Sequence, residues 1–355
     1  MRTGGRGAPR LRILFYLPDR VIGGPAPPAS HLVSAELLAG LRAAGVDVAA
    51  YAKECRIAAP FYEQRGPAAP ADLMEAVALT RPDIAWSYVA WEACEIAPHL
   101  EALRKRQVAY VQSMTHLPLT LTPAMRGASF LCESRLTWEL SRGFDHYRVK
   151  PFVPRAETYG GPLPARRTHN YLFMHRLEKG LDWAIETCAA IRGIQALFVT
   201  ADRCAVEAGY GKPLPRFVQC VGVRSGAEKI ALIAGCDAAF YCSPEPEAIG
   251  MSPIECMLSG VPLLAAPRSA YGRRISVFEY LEAAEIPAVM AGTAAAMAGA
   301  VNAGALEAID RSAVRERART FFDNHASVRE HIAALRLAHA RQSRSWGLDR
   351  AGSLP

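Results

Sequence analysis

The sequence predicts an α/β protein of two domains, each alternating strands with helices. Three observations carry this. The chain has 355 residues, a length that suits two domains of ordinary size. It opens on a strand–helix–strand pattern, Leu11 to Tyr51, with Gly23-Gly24 at the first joint. A second strand–loop–helix–strand unit runs from Asp237 to Ala266 around the segment CSPEPEAIGMSPIECMLSGVPLLAAP. Short apolar runs alternating with helical spacing mark a parallel sheet.

Composition bounds the class. The chain is 51% hydrophobic and 21% charged, so it can bury cores and is not a disordered polymer. No apolar run reaches the ~18 residues of a membrane span. Ile13 to Leu17 is too short for a signal-peptide core and runs into Pro18-Asp19, so a cytoplasmic protein with a flexible tail over 1–10 is expected. Its 9 cysteines, an odd number without a C-x-x-C, read as reduced thiols. The histidines show no H-E-x-x-H spacing and there is no D-x-D, so no metal is expected. A net charge of +7 fits a phosphate-rich partner or an anionic membrane face. It equally fits an ordinary arginine-rich surface. No basic run exceeds Arg104-Lys105-Arg106, which favours the latter and argues against nucleic acid.

The central unit carries the chemistry. Ser252 reads as an N-cap with Pro253 at the first helical position, and Glu255 completes a capping-box pattern. Gly260 and Pro262 end that helix. Free N–H groups at such a helix start favour an anion. Glu247 in the loop and Glu255 on the helix are separated by seven residues. Two carboxylates flanking an anion site can grip hydroxyls on either side of a phosphate. Alone, Glu255 reads as a helix cap and Glu247 as a solvated loop charge.

In register, E-A-I-G-M-S-P-I-E-C-M-L-S-G-V-P resembles the E-x7-E signature of retaining glycosyltransferases of the GT-B fold, family 4 in particular. Ala248 stands where the family has glycine, and Cys256 where it has alanine. The resemblance implies two Rossmann-like domains with an interdomain cleft: an N-terminal acceptor-binding domain over 11–155 and a C-terminal nucleotide-sugar-binding domain over 169–324.

Taken in order, Leu11 to Leu17 is a buried strand, Ser30 begins a helix that Gly45 stops, and Val46 to Tyr51 is the next strand. In the family, amides of the loop holding Gly23 and Gly24 approach the donor phosphate. Arg81-Pro82-Asp83 leads into a strand, and Val108 to Val111 is another. The family often has a histidine near the end of that strand that touches the donor sugar; His116 is the candidate, with Gln112 as the alternative. A strand over Ser129 to Glu133 is followed by a helix from Ser134. Ala156 to Thr168, rich in Gly, Pro and Arg, reads as the linker.

After the strand Asn170 to Met174, His175-Arg176-Leu177-Glu178-Lys179-Gly180 resembles the family's G-R-L-x-x-x-K-G, two residues shorter and with histidine for the first glycine. That assigns Arg176 and Lys179 to the donor diphosphate. Gly222 and Val223, after the strand Phe217 to Val221, fall where the nucleotide base lies. Helices are expected over Thr293 to Ala303, Arg311 to Phe322 and Ser327 to Arg341. The last, over 325–341, crosses back to the N-terminal domain in the family, and a flexible tail over 342–355 is expected to follow.

The implied function is retaining transfer of a sugar from a UDP-, GDP- or dTDP-sugar to an unidentified glycan, lipid-linked or small-molecule acceptor, without metal or cofactor. The resemblance assigns Glu255 to the ribose, Glu247 to the donor sugar, and the amides of Ile249, Gly250 and Met251 to the diphosphate. Alternatives are a phosphorylase, a nucleotide-sugar epimerase, a nucleic-acid glycosyltransferase, or a binding protein without turnover. The chain is expected in the cytoplasm or at a membrane face.

Overall fold

A computed structural model of the chain describes residues 10–22, 29–55, 73–88, 93–115, 121–164, 167–269 and 271–351. The chain forms two compact units. One comprises residues up to Pro154 together with the segment from Asn324 onward; the other is Arg155–Asp323.

The first unit runs β1 (Arg12–Ile22), α1 (Ala29–Ala43), β2 (Asp47–Cys55), α2 (Leu73–Thr80), β3 (Ile84–Ser87), α3 (Ala93–Lys105), β4 (Ala109–Ser113), β5 (Ala128–Cys132), α4 (Arg135–Leu140) and β6 (Asp145–Arg148). Its six strands are all parallel, in the order β2-β1-β3-β4-β5-β6. Strands β3, β4 and β5 are buried along their whole length, as a parallel sheet covered on both faces requires. That is why they appear in the sequence as short, mostly apolar runs. Ser134 caps α4 in a capping box with Thr137, where the sequence reading started a helix.

The second unit runs β7 (Asn170–Phe173), α5 (Leu181–Ala190), β8 (Ala196–Val199), α6 (Arg203–Tyr210), β9 (Val218–Cys220), α7 (Gly226–Ala234), β10 (Ala238–Tyr241), α8 (Met251–Leu258), β11 (Leu263–Ala265), α9 (Ser276–Ala283), β12 (Val289–Met290), α10 (Ala294–Asn302) and α11 (Arg311–Phe321). Its sheet is also parallel, ordered β12-β11-β10-β7-β8-β9. The chain winds outward from β7 through β8 and β9, then crosses back to lay β10 on the other side of β7. The strand order therefore reverses between β7 and β10. In open α/β sheets such a reversal leaves a crevice at the carboxyl ends of the two strands.

The segment over 156–168 is not a loose tether. Tyr159 is buried. Arg315 of α11 donates to the carbonyls of Gly161 (2.7 Å) and Ser259 (2.9 Å), which fastens this stretch to the end of α8. The chain then returns to the first unit in α12 (Asn324–Ala351). The Asn324 amide accepts from the Val153 N–H (3.0 Å) and donates to its carbonyl (2.8 Å). The helix continues past Arg341, where the sequence reading placed a flexible tail. Gln342 shows why: its side-chain amide accepts from the Tyr110 N–H (3.1 Å) and donates to the Tyr110 carbonyl (3.0 Å).

Candidate functional site

The candidate site lies on the loops that leave β7 and β10, the two strands flanking the reversal of the second sheet. From β7 the chain passes through His175, Arg176 and a single 3-10 turn over Leu177–Lys179 to Gly180, which opens α5. From β10 it passes through Cys242 and the loop carrying Glu245 and Glu247 to Gly250, which opens α8.

Both loops depend on a glycine in the left-handed region. Gly180 has φ +102°, and a Cβ there would lie 2.5 Å from the Cys242 carbonyl oxygen. The two loops thus touch backbone to backbone, an approach only glycine permits. Gly250 has φ +76°, and its Cβ would meet Val277 at 2.6 Å.

Gly250 also corrects the sequence reading of this helix. It is the N-cap residue, and no side chain caps α8. Ser252 and Pro253 lie inside the first turn instead of at its boundary, so the expected capping box does not form. The physical reason is that Gly250 turns the chain into the helix ahead of Ser252. The amides of Ile249, Gly250 and Met251 stand at this opening, where first-turn N–H groups have no intrahelical acceptor.

The side chains brought together here are those of Lys179 and Glu247. The Lys179 ammonium is ion-paired with Glu247 Oε1, and both side chains are nearly sealed from solvent. The second oxygen, Glu247 Oε2, is buried without a hydrogen bond, as is the hydroxyl of Tyr241. Tyr241 is held strongly protonated, first by burial and then by the nearby Glu247 carboxylate. His175 sits between the rings of Phe173 (5.7 Å) and Tyr241 (5.6 Å). Burial lowers its pKa, which favours the neutral imidazole.

Arg176 is not part of that sealed cluster. Its side chain is 67% exposed and pairs with Glu178 (3.1 Å) and Glu245 (3.3 Å). Glu255 lies on α8 with its side chain only 8% exposed. Its Oε1 accepts from the Tyr159 hydroxyl at 2.7 Å and from the Lys229 ammonium of α7 at 2.6 Å. Neither partner was marked by the sequence reading. Tyr159 falls in the stretch read as linker, and Lys229 is one charge on an amphipathic helix. Gly222, with φ +69°, and the exposed Val223 follow β9 at the sheet edge. Gly23, Gly24 and His116 lie outside the described residues. Among the described residues no group of three acidic, histidine or cysteine side chains gathers to hold a metal, and no helix is long and apolar enough to cross a membrane.

No protein-family model and no curated protein sequence matches this chain. Solved structures do. Sucrose-phosphate synthase from Thermosynechococcus elongatus superposes with a TM-score of 0.67 at 16% identity, over 94% of this chain and 100% of the other. A glycosyltransferase from Rickettsia africae gives 0.67 at 13% identity, over 93% and 98%. HepE from Anabaena, solved in complex with UDP, gives 0.62 at 15% identity, over 91% and 98%. The chain has the GT-B fold. Identities this low establish the fold and nothing finer.

Proposed function

We propose that the chain is a retaining glycosyltransferase similar to family 4, which moves a sugar from a nucleotide-sugar donor to an acceptor. One observation carries the reading. At the strand-order reversal, a cation, a carboxylate and an open helix start converge on two touching loops, with the second carboxylate of the E-x7-E pair one turn further along the same helix. HepE, of the same fold, was also solved in complex with UDP-glucose.

In this reading the diphosphate of the donor docks at the start of α8. The amides of Ile249, Gly250 and Met251 donate to it, and the helix dipole favours its charge. The bond from the anomeric carbon to the diphosphate oxygen breaks with its electron pair leaving on that oxygen. Stabilising the charge developed there lowers the barrier more than binding the ground state does. Arg176, exposed at the surface, supplies a guanidinium to this leaving group. Lys179 supplies an ammonium that Glu247 already holds in place, so little reorganisation accompanies the reaction. Glu247 accepts from donor-sugar hydroxyls, and Glu255 from the ribose. These cations and amides do the work that a metal does in other transferases.

The test has two stages. Thermal melting is followed with UDP, GDP, ADP and dTDP and their sugars, since a ligand of the native state raises the midpoint. The nucleotide that binds is then assayed for sugar transfer. Glu247→Ala should lose turnover while keeping nucleoside diphosphate binding. Undiminished transfer by that variant refutes the role given to Glu247, and no stabilisation by any nucleotide refutes the donor site.

A further inference from the structure

The contacts of Glu255 go beyond what a carboxylate needs in order to bind a ribose. Oε1 is saturated, taking the Tyr159 hydroxyl and the Lys229 ammonium. Two bonds from opposite sides of the chain, one from the segment entering the unit and one from α7, fix the rotamer. Oε2 has no hydrogen bond among the described residues, and it is not among the buried atoms cut off from solvent. The carboxylate therefore offers a single fixed acceptor. It can accept from a vicinal diol, but the hydroxyl oxygens of that diol also call for a donor, which a carboxylate does not have.

Lys229 supplies what is missing. An ammonium carries three donors, of which Glu255 takes one. Its side chain is 24% exposed, against 8% for Glu255, so it stands beside the carboxylate and still reaches solvent. Tyr159 has no such reserve, because its only hydroxyl proton is spent on Glu255.

We propose that Lys229 is a specificity-determining residue of the donor site: it donates to one ribose hydroxyl while Glu255 Oε2 accepts from the other, so the site takes ribonucleoside diphosphates and rejects their 2′-deoxy counterparts. This rests on the donor-site reading above. A site built to bond a hydroxyl discriminates against the ligand that lacks it, because a partly buried polar group then loses its partner. Donors built on deoxythymidine are accordingly excluded.

The experiment measures dissociation constants of UDP, GDP and ADP, each beside its 2′-deoxy analogue, on the full chain. The native protein should prefer the ribonucleotide by about tenfold or more. Lys229→Met should cut that ratio to about threefold or less. Tyr159→Phe, which keeps the ammonium, should preserve the ratio even where both affinities fall. If Lys229→Met does not fold, Lys229→Thr, whose single hydroxyl proton can serve Glu255 and leaves none over for the ribose, is read in the same way. A merely structural lysine would weaken both members of each pair equally, and an unchanged ratio overturns the proposal. Equal affinity of the native protein for both sugars also overturns it, while leaving the donor site standing. Binding of none of the nucleotides overturns both.

Discussion

The Lys179 ammonium lies on the Glu247 carboxylate with side-chain exposures of 12% and 11%, and the two residues come from loops after adjacent strands. Lys179 is 68 positions from Glu247 in sequence, yet the pair ties the two loops of the candidate site together. Breaking a buried pair from one side strands the other charge, which costs about 3 kcal/mol or more. Lys179→Met should therefore lower the melting temperature of the second unit by roughly 6–10 °C. Replacing both residues with apolar side chains, Lys179→Met with Glu247→Leu, should recover most of that loss. Thermal melts of the four proteins in a double-mutant cycle check this. Strictly additive effects would mean that the two charges do not interact.

The Gly180 backbone makes a separate, steric prediction. Its positive φ alone makes alanine unfavourable, and the Cys242 carbonyl 2.5 Å from the added Cβ cannot rotate away. Gly193 is the matched control: φ is +70°, but the nearest atom to an added Cβ is at 3.8 Å. Gly193→Ala should cost about 1 kcal/mol, for the backbone conformation only. Gly180→Ala should cost at least about twice as much in urea unfolding and should also weaken nucleotide binding, because the two loops must separate. Equal costs at the two positions would show that the loops part without penalty.

His175 gives the site a pH dependence whose sign is fixed by burial. Desolvation is the largest influence and lowers its pKa from 6.5. The Glu247 carboxylate and the Phe240 carbonyl act against it, and Lys179 acts with it. Below about pH 6.5 the unfolded chain binds a proton that the folded chain resists, so stability rises with pH across that window. This contribution is complete above 6.5 and fades as pH falls toward the folded-state pKa. Melting temperatures of the native protein and His175→Gln, compared from about pH 5 to 8, isolate this residue. The native protein should lose more stability on acidification than the variant does; parallel curves would assign the acid sensitivity elsewhere.

These residues show where sequence reasoning reached and where it stopped. The strands were legible because a strand covered on both faces must be largely apolar, as β10 is along its whole length. Glu247 and Glu255 were legible as a pair because their spacing put one on a loop and one on the following helix. The start of α8 was misread because Ser252-Pro253 satisfies every local rule for a helix boundary. What decides it is non-local: the left-handed turn at Gly250, packed against Val277. Tyr159 and Lys229 left no local signal at all, since each acquires its meaning only when three separate segments meet at one oxygen. His175 was noticed as a departure from a glycine, but its packing between Phe173 and Tyr241 was not readable from the chain.

The end of the chain supplies the last test. A run of polar residues from Gln342 to Arg344 looks like a solvated tail, yet Gln342 acts as a short extra strand against β4. Its amide bonds both polar groups of the Tyr110 backbone and donates to Ser129 Oγ at 2.8 Å. Removing this side chain costs the Tyr110 backbone two hydrogen bonds and Ser129 Oγ one, about 2 kcal/mol together. Gln342→Ala should lower the unfolding free energy of the first unit in urea by that amount, and ending the chain at Arg341 should lower it at least as far. Arg344→Ala, at an exposed position two residues on, should change it by less than about 0.5 kcal/mol. A truncated chain as stable as the full one would restore the reading of this segment as a tail.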